Sequence, residues 1–344
     1  MKIEKFKIGQ EKVFIIAELS ANHNGDLKTA IDTIRAAKQA GADCIKLQTY
    51  TPDTITIDSK LDDFMIKGTI WEGSNLYDLY KQAYTPWEWH KELFQVAKEE
   101  GLICFSSPFD KTAVDFLEDL DVPAYKIASF EITDIPLIEY VASKNKPIII
   151  STGIAEIKDI DLAIETCKKV GNENIALLKC TSSYPAPINE ANLCIIDDLK
   201  RRYNIPVGVS DHTLGFLSPV VSVSLGAQIV EKHFILDKSV GGPDSSFSMT
   251  KDEFSEMVKH VREAEKLIGK VDYSLTPKQI EGRNFSRSLY IVEDVKKGDL
   301  VTENNVRSIR PGYGLHPRHL NDILNKKFNK NFKKRTRLLI NHLK

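Results

Sequence analysis

Along the first three-quarters of the chain, short runs of apolar and β-branched residues alternate with longer stretches in which apolar positions recur every three or four residues. The short runs are "VFIIAEL" from Val13, "CIKLQTY" from Cys44, "ICFSSPF" from Ile103 and "AYKIAS" from Ala124, then "PIIIST" from Pro147, "IALLKCT" from Ile175, "PVGVSDH" from Pro206 and "QIVEKHF" from Gln228. Nearly continuous apolar runs of this length predict strands buried on both faces, as in a parallel sheet. Between them, "LKTAIDTIRAAKQAG", "EWHKELFQVAKEEG" and "IKDIDLAIETCKKVG" carry helical spacing and stop at Gly41, Gly101 and Gly171. Alternation through eight strands predicts a (β/α)₈ barrel rather than an open sheet. The stretch from Thr51 to Pro86 is long for a strand-to-helix connection, and loops of that length tend to be functional.

After a helical pattern around Lys251 to Ile268 the periodicity changes. The reading is a catalytic barrel over 1–270, a polar linker over 271–284 and a small compact unit over 285–344. In that unit the sequence predicts a strand, a Lys-Gly-Asp turn and a short helix capped by Thr302. A chain of 344 residues suits a barrel plus one small domain.

Charge narrows the partners. With a formal net charge of -1, the chain lacks the excess of Lys and Arg that phosphate-backbone binding needs, so no nucleic acid is expected. The basic run "NKKFNKNFKKRTR" reads as a solvated face. Five cysteines without a C-x-x-C pair read as reduced thiols. The opening residues lack the apolar core of a secretory leader, and no stretch approaches the roughly 20 apolar residues of a membrane span. A cytoplasmic protein with no membrane partner is expected.

The active site of a (β/α)₈ barrel lies at the C-terminal ends of its strands. Here those ends carry Glu18, Lys46, Gln48, Ser106, Ser107, Lys126, Ser129, Glu131, Ser151, Thr152, Thr181 to Tyr184, Ser210, Asp211, His212 and His233. A lone serine at such a place is usually a cap, and a lone lysine can snorkel. Together they point to one cause, an anionic, phosphate-bearing substrate: lysines neutralise charge, and hydroxyls and helix N-termini hold phosphate oxygens. His212 and His233, each ending an apolar run, are then expected to supply a divalent cation.

In these same residues the sequence resembles the sialic acid synthase family, which condenses phosphoenolpyruvate with an amino sugar. The resemblance runs in order through "AELSANHNGD", "CIKLQTY", "FSSPFD", "PAYKIASFEITDIPLI", "IIISTGIA", "KCTSSYPAP", "VGVSDHTLG", "VEKHF", "GGPDSSFSM" and "IRPGYGLHP". The C-terminal unit looks like the antifreeze-like (SAF) domain these synthases carry behind the barrel. By motif, the resemblance implies manganese ligands at His212 and His233, with Mg²⁺ or Co²⁺ as alternatives. It implies phosphoenolpyruvate contacts at Lys46, Ser107, Lys126, Ser129, Ser151, Ser182 and Ser210, the Ser182 contact being weakened because family members usually have Asn there. Glu18 and Glu131 match the catalytic acidic residues, and Gln48, Tyr184, Asp244 and Arg310 the sugar-binding set, Arg310 reaching a partner's barrel in a domain-swapped homodimer. The stretch "GTIWEGSNLYDLYKQAYTPWEWH" from Gly68 and the ending "RPGYGLHP" look more like the branch that makes pseudaminic acid, which implies 2,4-diacetamido-2,4,6-trideoxy-altrose as the sugar. Neuraminic or legionaminic acid synthesis is the alternative within the family. A Schiff-base lyase using Lys126 or Lys46, which leaves the histidines unexplained, and a non-catalytic sugar-binding protein are the alternatives outside it.

Overall fold

The computed structural model describes residues 1–10 and 12–344. The chain divides into two compact units, Met1–Gly269 and Lys270–Lys344.

The first unit opens with a tiny antiparallel hairpin, β1 (Lys2–Ile3) and β2 (Phe6–Lys7). Eight parallel strands follow: β3 (Phe14–Glu18), β4 (Cys44–Thr49), β5 (Ile103–Pro108), β6 (Tyr125–Ile127), β7 (Ile148–Ser151), β8 (Ile175–Cys180), β9 (Val207–Asp211) and β10 (Ile229–His233). They close into a barrel in chain order, with β10 pairing back onto β3. Each of the eight predicted runs forms one strand of this barrel.

Alternation along the strands sorts side chains between two cores. Outward residues such as Ile15, Ile45, Leu177 and Val230 pack under the helices, while Phe14, Ile16, Ile103, Phe105, Ile149, Leu178 and Ile229 fill the barrel interior. Ile3, Phe6 and Ile8 of the opening segment join this inner cluster, with the rings of Phe6 and Phe14 4.6 Å apart. The hairpin is therefore an apolar plug on the N-terminal end, which leaves the C-terminal end as the open face. The sequence reading had found no role for this segment.

Three helices, Leu27–Gln39, Trp87–Glu99 and Ile157–Lys169, end as predicted before Gly41, Gly101 and Gly171, whose φ angles are +92°, +68° and +86°. The 51–86 insertion has no strand; it holds a short helix, Pro52–Ile55, and a longer one, Leu76–Ala83, capped by the Asn75 side chain.

In the second unit, β11 (Ser288–Ile291) pairs antiparallel with β12 (Val306–Ile309) over a core of Leu289, Ile291, Val301, Phe328 and Leu338. The segment read as a linker contains a one-and-a-half-turn helix, Pro277–Gly282, capped by Thr276. One expectation is corrected here: Thr302 caps a turn rather than a helix. Its hydroxyl accepts from Asn305 N at 3.3 Å while Asn305 Oδ1 accepts from Thr302 N, and the chain enters β12 at once, leaving no room for a helical turn.

Candidate active site

Above the inner apolar core the same strand positions turn polar. Glu18, Lys46, Ser107, Lys126, Ser151, Ser210 and Glu231 are all buried and all face the barrel axis. Burying charge is costly unless it is paired, and the pairing is explicit. Lys46 forms an ion pair with Glu18 and lies 3.4 Å from Ser107 Oγ. Lys126 donates to Ser151 Oγ at 2.6 Å and to the Ile127 carbonyl at 3.1 Å. Burial pushes the Glu18 carboxyl up to about 7, with Lys46 opposing and Glu231 adding to the rise. Burial likewise would lower Lys46, but Glu18 and Glu231 outweigh it and hold the ammonium above its usual range. Lys126, with weaker compensation, is lowered by burial.

Beside Lys126 lies a cradle of hydroxyls. Ser182 donates to Ser129 Oγ at 2.7 Å, and the Ile154 amide donates to the same oxygen at 3.1 Å. A methyl on Gly153 would collide with both serine hydroxyls and come within 3.1 Å of Cys180 Sγ. The turn after β7 thus needs a glycine so that its backbone can approach the cradle, the arrangement seen where amides meet phosphate oxygens. Glu131, two residues after Ser129, has a buried Oε2 without a hydrogen-bond partner, and burial lifts its carboxyl to about 7 against the pull of Lys126.

The two strand-end histidines meet across the β9–β10 edge, ring centroids 5.3 Å apart. His212 Nδ1 lies 3.0 Å from the Thr181 carbonyl; a carbonyl only accepts, so Nδ1 carries a proton, and although burial opposes it, Cys180 and the Thr181 carbonyl hold this imidazole above its usual range. His233 Nδ1 is buried without a partner, 3.7 Å from Asp244 Oδ2. Burial and the neighbouring cations push the His233 imidazole well below its usual range, keeping it neutral. His212, His233 with its orphaned nitrogen, and Asp244 are the side chains that could hold a divalent cation, though among the described residues no group of three or more His, Cys, Asp or Glu is arranged for one.

A continuous polar line joins these parts. From Glu18 the contacts run to Gln48 Nε2 at 2.9 Å, to Ser20 Oγ at 2.9 Å, and on to Asp244 at 2.5 Å. Above this line opens a cavity of about 200 Å³. Its polar lining is Ser20, Gln48, Ser129, Glu131, His233 and Asp244; its apolar lining includes Tyr50, Ile55, Trp71, Leu79, Tyr80, Phe109, Phe130 and Pro243. Ile55, Trp71, Leu79 and Tyr80 come from the 51–86 insertion, so that segment is the apolar wall of the site. Trp71 also packs on Tyr184, centroids 5.6 Å apart.

A model of the NeuB family matches residues 33–273, and a model of the SAF domain matches 286–344. The chain belongs to the NeuB family. It is 50% identical over 333 residues, 97% of each chain, to a pseudaminic acid synthase of Campylobacter jejuni. It is 48% identical to a pseudaminic acid synthase of Helicobacter pylori, covering 94% of this chain and 96% of the relative. Among solved structures, N-acetylneuraminic acid synthetase of Leptospira borgpetersenii in complex with citrate matches with a TM-score of 0.74 and 31% identity, over 83% of this chain and 96% of that one.

On this NeuB-family barrel the structure brings together Glu18, Lys46, Gln48, Ser107, Lys126, Ser129, Glu131, Ser151, Ser182, Tyr184, Ser210, His212, His233 and Asp244. Ser182 keeps a place in the cradle despite the departure from Asn. Arg310 belongs to the second unit, exposed at the head of a turn held by Ser288, whose hydroxyl donates to the Pro311 carbonyl at 2.6 Å and accepts from Gly314 N at 2.8 Å. Sequence reasoning missed Glu231, Ser20 and Gly153. The first was detectable: in "IVEKHF", Glu231 stands two positions before His233 and so faces the same side of the strand.

Proposed function

We propose that this chain condenses phosphoenolpyruvate with 2,4-diacetamido-2,4,6-trideoxy-altrose and water, giving a nine-carbon nonulosonic acid and phosphate, the activity of a pseudaminic acid synthase. The observation that carries this reading is the juxtaposition, in one barrel mouth, of a two-lysine, multi-serine anion floor, a pair of strand-end histidines and a cavity lined by polar and apolar side chains together. The near-full-length likeness to pseudaminic acid synthases supports the choice of branch over neuraminic or legionaminic acid synthesis. So does the wall of Ile55, Leu79 and Tyr80, which suits a methyl and acetamido methyls better than hydroxyls.

The residues divide the chemistry. Lys46 and Lys126, with Ser107, Ser151 and Ser210, hold the anionic groups of phosphoenolpyruvate, and the Ser129–Ser182 cradle with the Ile154 amide takes phosphate oxygens. Held there, phosphoenolpyruvate presents C3 to the open-chain sugar aldehyde in the cavity above, so that a C–C bond forms in a fixed geometry. Positive charge then develops at C2, water adds there, and phosphate departs with cleavage of the C2–O bond. Glu18 and Glu131, both lifted to about 7 by burial, are poised to take a proton from the attacking water and to give one to the aldehyde oxygen near neutral pH. Gln48, Tyr184 and Asp244 orient the sugar. His212 and His233 would hold a divalent cation, Mn²⁺ foremost with Mg²⁺ or Co²⁺ as substitutes, which supplies Lewis-acid polarisation of the aldehyde.

A homodimer in which the SAF domain of one subunit covers the barrel of the other would bring Arg310 to the sugar. The opposite charge balance of the two units supports such capping, the second being strongly basic and the first acidic. Among the described residues no helix is long and apolar enough to cross a membrane, which accords with a cytoplasmic enzyme. The test is phosphate release from phosphoenolpyruvate. It should require both the diacetamido sugar and a divalent ion, and release without sugar would oppose the reading.

A further inference from the structure

One buried charge has no part in the chemistry above. Glu231 is 4% exposed, on the inward face of β10, in register with Ser210 of β9 and Ile16 of β3. It sits one layer above the apolar barrel core and one layer below His233. Its Oε1 accepts from Ser210 Oγ at 2.7 Å and lies 3.7 Å from Lys126 Nζ; its Oε2 lies 3.9 Å from Lys46 Nζ. Oε2 is buried and makes no hydrogen bond.

These distances are too long for hydrogen bonds and short enough for strong attraction at low dielectric. One carboxylate therefore faces both ammonium groups without using their donors, which are engaged elsewhere by Glu18, Ser107, Ser151 and the Ile127 carbonyl. With Glu231 the floor holds two cations and two carboxylates and needs no ligand for neutrality. Without it, two buried ammonium groups would share Glu18 alone and repel each other. A carboxylate under an anion site also opposes the anion that binds above it.

The geometry points to Glu231 as a positioning residue that fixes the spacing of Lys46 and Lys126 in the empty site and weakens retention of phosphoenolpyruvate and of phosphate. This inference rests on the proposed use of phosphoenolpyruvate. Its signature is a split between binding and turnover: removing the charge tightens anion binding and slows catalysis. An ordinary core residue would not give that pattern.

The test is titration calorimetry of the full-length protein with phosphoenolpyruvate and with inorganic phosphate, alongside steady-state kinetics, for wild type, Glu231→Gln and Glu231→Asp. Glu231→Gln keeps the size and the Ser210 contact but loses the charge. It should bind both anions about tenfold more tightly, the scale of one nearby charge at intermediate dielectric, while kcat falls by a similar factor. Glu231→Asp keeps the charge but draws it back by one methylene. It should bind the anions within about twofold of wild type with kcat still reduced, and it carries the test if the Gln variant does not fold. Unchanged or weaker anion binding in a folded Glu231→Gln variant, or undiminished kcat in Glu231→Asp, overturns the inference alone. Failure of the wild type to bind either anion overturns the functional reading, and this inference with it.

Discussion

The indole N–H of Trp71 donates to the Pro243 carbonyl at 2.8 Å, tying the 51–86 insertion to the loop after β10 across the mouth of the barrel. This bond fixes the apolar side chains of the insertion against the cavity that Glu131 and Asp244 also line. Replacing Trp71 by Ala removes it together with the packing on Tyr184. The expected outcome is a rise of at least about tenfold in KM for the sugar, consistent with loss of one buried hydrogen bond and an aromatic contact, with KM for phosphoenolpyruvate nearly unchanged. Equal effects on both substrates would mean that the insertion does not face the sugar.

Gly153 gives a sharper probe of the phosphate end. A single methyl there runs into Ser129 and Ser182, so Gly153→Ala should disorder the cradle and cut kcat/KM for phosphoenolpyruvate by about a hundredfold or more, as when two charge-assisted contacts are lost. Far-UV circular dichroism should stay unchanged. Normal kinetics in this variant would place the phosphate elsewhere.

Lys126→Met keeps much of the volume and removes one cation. The loss of a charge-assisted contact, about 1.5–3 kcal/mol, predicts at least a tenfold drop in kcat/KM for phosphoenolpyruvate. Borohydride treatment with substrate should trap no covalent adduct in the wild type, because the ammonium acts as a charge rather than a nucleophile; a trapped adduct would favour Schiff-base chemistry.

The raised carboxyl of Glu131 has a definite consequence for stability. A carboxyl whose folded value is lifted to about 7 from its ordinary value near 4.5 favours the folded state in its neutral form. That contribution is complete below the ordinary value and disappears as pH rises through about 7. In the absence of substrates, wild type should therefore lose stability relative to Glu131→Gln across this window. Denaturant unfolding at several pH values measures the difference; a constant gap would show that Glu131 titrates normally.

The barrel was legible because its strands are buried on both faces and its helices stop at glycines, both local signals. The strand ends were legible for a related reason: polar residues closing apolar runs are unusual, and the chain repeats them on every strand. What stayed hidden depends on side-chain alternation or on distant contacts. Glu231 lay inside a run rather than at its end. Gly153 is required only because Ser129 and Ser182, from other strands, crowd it. The β1–β2 plug has too few residues to show periodicity. The Thr302 helix failed because a cap side chain serves a turn and a helix equally well, and only the chain beyond decides between them.

The histidine pair makes metal dependence directly testable. Exhaustive chelation should abolish turnover and Mn²⁺ should restore it, while His212→Ala should remain folded and inactive; full activity after chelation would contradict the role given to His212 and His233.

The most direct measurement is mass spectrometry of the products formed from phosphoenolpyruvate and a panel of acetamido sugars. The panel holds 2,4-diacetamido-2,4,6-trideoxy-altrose, its manno-configured counterpart and N-acetylmannosamine. The account predicts one dominant nine-carbon diacetamido acid from the altrose derivative, formed in step with phosphate release. Preferential conversion of either other sugar, or phosphate release with no condensed product, would contradict it.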